Sequence, residues 1–124
     1  MTQPRNAMTV DVEDYFQVSA FERYISRDSW DDQECRVERN VDRILELCDR
    51  HGVKATFFTL GWIAQRYPEM VRRMITQGHE LASHGWSHVR VTQQDQDAFR
   101  QDVVRTKSFL EDLSGQEIIG YRAA

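Results

Sequence analysis

Apolar and polar positions along the chain alternate between two periods, and the alternation predicts a regular series of strands and helices. Residues 7–12, AMTVDV, are rich in β-formers and end in acids, the pattern of a short buried strand with charge at its C-terminal end. The stretch YFQVSAFERYISRDSWDDQECR has no sustained period and predicts a long loop holding about one helical turn. From Val37 to His51 the apolar residues Val37, Val41, Ile44, Leu45 and Cys48 recur at helical spacing, with Gly52 as a C-terminal stop. KATFFTLG then reads as a strand covered on both faces and ended by Gly61. A helix over Ile63 to Gln77 follows, interrupted at Tyr67 because Pro68 comes next, and Gly78 closes it.

HELASH predicts a third strand ending at His84. Thr92 is the expected cap of the next helix, whose apolar face runs through Phe99, Val103, Thr106, Leu110 and Leu113 to Gly115. EIIGYRAA predicts a fourth strand. Strands separated by helices imply parallel pairing with right-handed crossovers, so the fold class is α/β, with about four parallel strands in a doubly wound sheet or part of a (β/α) barrel. In either architecture chemistry gathers at the C-terminal ends of the strands. Those ends carry Asp11, Glu13 and Asp14, then Thr59, then His84 and His88, then Arg122.

Bulk properties narrow the picture without naming a chemistry. The 124 residues fit one domain, with 40% hydrophobic and 29% charged positions. A net charge of −4 with no basic stripe argues against nucleic acid as a partner. No apolar run reaches a membrane span and the N-terminus has no signal-like apolar region, which makes a cytoplasmic location the default expectation. The two cysteines, Cys35 and Cys48, lack metal-ligand spacing; Cys48, on the apolar side of its helix, reads as a buried thiol.

Period-two geometry puts Asp11 and Glu13 on one face of the first strand, where two carboxylates repel unless a cation or an arginine stands between them. His84 and His88 offer neutral imidazoles suited to zinc or another borderline divalent metal, and a carboxylate from the first strand would complete a facial set with open positions. His79, at the start of its strand, reads as structural. Among the aromatics, Tyr15, Phe16, Trp62 and Trp86 could form a sugar-stacking rim, core packing being at least as good a reading for Phe16 and Trp62. Trp86, between the two histidines, is the expected substrate contact. SWDDQE reads as a solvated acidic loop.

TVDVEDYF, HELASHGWSH and GYRA, in this order, resemble the first three motifs of the polysaccharide deacetylases, the NodB-homology or carbohydrate esterase family 4 enzymes. DVEDYFQVSAFE resembles the opening of those associated with exosortase and PEP-CTERM systems. The resemblance implies a distorted (β/α) barrel of which residues 1–124 form the N-terminal half, a single partial domain ending at the third motif. It implies hydrolysis of N-acetyl groups on amino sugars of a polysaccharide, in exopolysaccharide biosynthesis. Asp11 becomes the general base, Arg122 the residue that orients it, and His84 and His88 ligands of a divalent metal, zinc foremost. The family's first motif has two adjacent aspartates, whereas this chain has Asp11, Val12, Glu13, Asp14; Glu13 is the preferred third ligand and Asp14 the alternative. The family's later motifs bring a histidine acid, and no histidine follows His88. The expectation is therefore a metal-binding chain with little activity alone. Competing readings are an allantoinase-like amidohydrolase acting on a small cyclic amide, and a non-catalytic carbohydrate-binding remnant.

Overall fold

A computed structural model of the protein describes residues 3–124. Three parallel strands, β1 (Met8–Val12), β2 (Ala55–Thr59) and β3 (Glu80–Ser83), form one sheet in the order β1-β2-β3. Each crossover thus moves one strand along in the same sense, as in a barrel wall. The helices are α1 (Val37–His51), α2 (Gly61–Arg66), α3 (Pro68–Thr76) and α4 (Gln96–Ser114). Val12 pairs with Thr59 and Thr59 with Ser83, so all three strands leave the sheet at one edge. Glu13, Leu60 and His84 are the next residues out.

The core follows from the predicted periodicities. α1 buries Val37, Val41, Leu45 and Cys48. It stops at Gly52, whose φ of 60° is open to glycine without strain, while Val53 N–H closes the end on the Cys48 carbonyl at 2.9 Å. These side chains pack with Phe57, Leu60, Ile63, Met70, Met74, Leu81 and Leu110 in one apolar cluster. Both cysteines are free thiols, Cys48 buried and Cys35 half-buried. Pro68 sits at the first position of α3, where it costs no hydrogen bond, and Tyr67 is the break between α2 and α3.

The structure corrects four local expectations. Gly61 opens α2 instead of merely ending β2: its N–H donates to the Gly85 carbonyl at 2.9 Å, and a side chain there would run into the Trp86 ring. The helix cap is Asp95, not Thr92; Asp95 Oδ1 accepts from Ala98 N–H at 2.8 Å, and Thr92 lies in a preceding 3-10 turn. The fourth strand shrinks to a single parallel bridge between Tyr121 and Ser83. Side chains of α4 draw Ile118 off the ladder, Lys107 Nζ donating to its carbonyl at 2.6 Å and Glu111 accepting from its N–H at 3.0 Å. The long loop holds three 3-10 turns, Tyr15–Gln17, Ser19–Phe21 and Arg27–Asp32. Within SWDDQE, Trp30 is buried at 3% exposure, its ring centroid 6.0 Å from Phe16 and 5.4 Å from Trp62.

Candidate metal centre

Beyond the last pair of β1, Glu13 and Asp14 go separate ways. Asp14 is buried, and its carboxylate is consumed by backbone N–H groups: Tyr15 at 2.9 Å, Arg36 at 2.6 Å and Val37 at 2.9 Å. It caps a 3-10 turn and the start of α1 together, which leaves it no lone pair suited to a cation. Glu13 points toward the histidines. Its Oε2 lies 2.9 Å from His88 Nε2 and 3.4 Å from His84 Nε2. One donor atom from each of Glu13, His84 and His88 falls within 4.8 Å of the others, and the group is largely buried.

The electrostatics of this cluster are unbalanced. A carbonyl only accepts, so the 2.9 Å contact between His84 Nδ1 and the Arg122 carbonyl fixes the proton on Nδ1. Neutral His84 then presents the bare lone pair of Nε2 to the Glu13 carboxylate. Glu13 Oε2, His84 Nε2 and His88 Nδ1 are all buried without a well-aligned hydrogen bond. Burial pushes the Glu13 carboxyl up, but the two histidines outweigh it and hold it at about 2. Burial likewise pushes His84 down, and Glu13, the Arg122 carbonyl and Asp11 overcome it and raise it. The cluster favours a positive charge at its centre. Two imidazoles and a carboxylate, with acceptors facing inward and one imidazole oriented from behind by a carbonyl, fit a divalent cation such as zinc.

Arg122 reaches the site from the chain segment that bridges to β3. Its N–H donates to the Ser83 carbonyl at 2.9 Å, and its guanidinium donates to Asp11 Oδ1 at 2.5 Å and Thr9 Oγ1 at 3.1 Å while lying over Phe58. Asp11 is thereby held at the rim of the site by a charge-assisted bond. The backbone of the turn from 84 to 88 is set from several sides. Gly85 takes φ of 78°, and His88 is the only described non-glycine residue with positive φ, at 55°. Asp102 Oδ1 on α4 accepts from Trp86 N–H at 3.1 Å. Arg27 donates to the carbonyls of Ser87 and His88.

The aromatic rim expected around this site is largely absent. Trp86 is 8% exposed and packs on Gly61, edge-on to Phe109 and beneath Arg105, so its ring serves as a wedge between α2 and α4 and is not open to a sugar. Phe16 is buried against the buried Trp30 and the half-buried Trp62. Tyr15 is the exposed one of the set, at 37%, under the Arg36 guanidinium. His79 lies at the opposite end of β3 and accepts from Ala55 N–H at 3.1 Å. Sequence reasoning missed Arg27 and Asp102, which act on backbone groups and leave no spacing pattern.

The polysaccharide deacetylase family pattern matches residues 28–124, which include His84, His88 and Arg122. Asp11 and Glu13 precede the matched stretch, so their place in the site rests on the geometry above. A peptidoglycan-N-acetylglucosamine deacetylase of Bacillus cereus is 36% identical over 73 residues, covering 59% of this chain and 26% of that protein. A chitooligosaccharide deacetylase of Rhizobium leguminosarum bv. trifolii is 36% identical over 64 residues, covering 52% of this chain and 30% of that protein. The crystal structure of a Mycobacterium smegmatis protein assigned as a polysaccharide deacetylase superposes with a TM-score of 0.77 at 31% identity, covering 94% of this chain and 42% of that one. The chain thus spans about a third or less of these curated relatives' length, and under half of the solved one. With a pattern match over most of its residues and the same parallel wall of strands, the chain belongs to the polysaccharide deacetylase family.

Proposed function

We propose that the chain carries the metal-binding half of a hydrolase that removes N-acetyl groups from amino sugars of a polysaccharide, with an exopolysaccharide as the natural substrate. The observation that carries this reading is the inward-facing set Glu13, His84 and His88 beside the Asp11–Arg122 pair. Glu13, rather than Asp14, would complete the ligand set, because every lone pair of Asp14 suited to a cation is already engaged by backbone N–H groups. A divalent ion, zinc by the donor chemistry, would polarise the acetyl carbonyl and bring the pKa of water from 15.7 toward about 7.

The chain's own residues supply orientation and a base. Asp11 accepts the proton of the attacking water as the new C–O bond forms, and breaking the C–N bond then yields acetate and a free amine. Arg122 keeps the Asp11 carboxylate aimed, and is itself fixed by Thr9, Phe58 and its backbone bond to Ser83. The amine must be protonated as it leaves, and no described imidazole is both free and beside Asp11. His84 and His88 face Glu13, His79 is bonded to Ala55, and His51 ends α1. Turnover by these residues alone is expected to be slow.

The test is acetate release from an N-acetylated oligosaccharide in the presence of zinc. Slow release that stops with a chelator and falls to background in Asp11→Asn supports the reading. Release indifferent to both contradicts it.

A further inference from the structure

We infer that Arg27, in the irregular segment between β1 and α1, is a positioning residue for the metal centre: its guanidinium holds the backbone of Ser87 and His88 in the conformation that turns the His88 ring toward Glu13. The inference rests on the reading of Glu13, His84 and His88 as a cation site.

The geometry is specific. Arg27 Nε donates to the Ser87 carbonyl at 3.0 Å, and one of its terminal nitrogens donates to the His88 carbonyl at 2.9 Å and to Glu22 Oε1 at 3.0 Å. One planar fork thus spans two consecutive carbonyls some sixty positions away in the chain. Those carbonyls flank the single described non-glycine residue in the left-handed region, His88 at φ 55°. An L-residue there costs energy and persists only where the surroundings impose it. His88 reaches Glu13 from that conformation, with Nε2 2.9 Å from Oε2. Relaxation of the backbone to negative φ would redirect its Cα–Cβ bond, and with it the ring.

Arg27 is itself well placed to impose this. Glu22 pairs with it, and its guanidinium lies 5.7 Å from the centre of the buried Trp30 ring, which locks with Phe16 and Trp62 into the core side of the segment. The matched family region begins at residue 28, so the clamp and the carboxylate of Glu13 both come from the segment outside it. The irregular segment therefore does two jobs at one site. It provides the acidic group, and it sets the angle of one imidazole.

The test uses the 124-residue chain and cobalt(II), whose visible absorption reports ligand geometry, with zinc affinity measured by competition. Arg27→Gln removes the fork. It is expected to weaken zinc binding by about 10- to 100-fold, the usual consequence of losing a group that orients a ligand, and to alter the cobalt band. Arg27→Lys, which can satisfy one carbonyl, is expected to fall between. Arg66→Gln is the control for general loosening, since Arg66 stacks on Trp62 at 3.9 Å and pairs with Asp31 within the same aromatic cluster without touching the turn. It is expected to leave the cobalt spectrum unchanged. Equal zinc affinity and an identical cobalt spectrum in Arg27→Gln overturn the inference, as does an equal change in Arg66→Gln. Failure of the wild-type chain to bind either ion refutes the site itself, a separate and recognisable result.

Discussion

His79 and His84 stand at the two ends of β3, both nearly fully buried, and their surroundings make opposite use of the same side chain. At the N-terminal end His79 accepts a backbone hydrogen bond from Ala55, its ring edge-on to Phe57. Burial, with the Lys54 charge adding to it, pushes its pKa down, so it stays neutral. At the C-terminal end His84 is turned by a carbonyl behind it to face a carboxylate in front, and its pKa is raised. A buried histidine therefore marks a site only when its second nitrogen is left facing other donors. His79 has its hydrogen bond; His84 has an unmet one.

The largest expected contrast comes from truncating each ring. His84→Ala should reduce zinc affinity by more than about 100-fold. His79→Ala should leave uptake intact and cost roughly 2–4 kcal/mol of stability, from a cavity and an unpaired Ala55 N–H, read by denaturant unfolding. Stability loss with lost zinc binding in both variants would break the distinction. A smaller contrast separates the two acids. Glu13→Gln should weaken zinc binding by about 10- to 100-fold, whereas Asp14→Ala should cost about 0.5–2 kcal/mol through the lost cap while keeping stoichiometric uptake.

The smallest effect is in the pH dependence of the metal-free chain. His79 binds its proton less well folded than unfolded, so its contribution to stability is lost as pH falls below the unfolded value near 6.5. His84 binds its proton better when folded, so its contribution is full below that value and is lost as pH rises through the raised one. Unfolding of His84→Ala should show stability rising with pH up to about 6.5, where His79 titrates, and His79→Ala should show it falling as pH rises above about 6.5, where His84 does. Slopes of the same sign would contradict the opposite environments assigned to the two rings.

Periodicity along the chain foretold the elements that bury continuous apolar faces. α1 runs over the predicted residues because Val37, Val41, Leu45 and Cys48 repeat on one side and Gly52 ends it. The break at Tyr67 followed from proline stereochemistry. What sequence could not show depended on partners distant in the chain. Trp30 is buried despite its acidic neighbours because Phe16 and Trp62 receive it. Trp86 is a packing wedge because α2 begins with a glycine that leaves it room. Ile118 leaves the ladder because Lys107 and Glu111 claim its backbone. Period-two reasoning placed Glu13 toward the base side, but only the backbone bonds to Asp14 show why that neighbour is occupied.

The central claim is that Glu13, His84 and His88 form a cation site, and elemental analysis of exhaustively dialysed protein tests it most directly. After incubation with zinc and removal of the excess, the wild-type chain is expected to retain one zinc ion per molecule and the His84→Ala, His88→Ala double variant none. No retained zinc in the wild type, or equal retention in the double variant, would contradict the account.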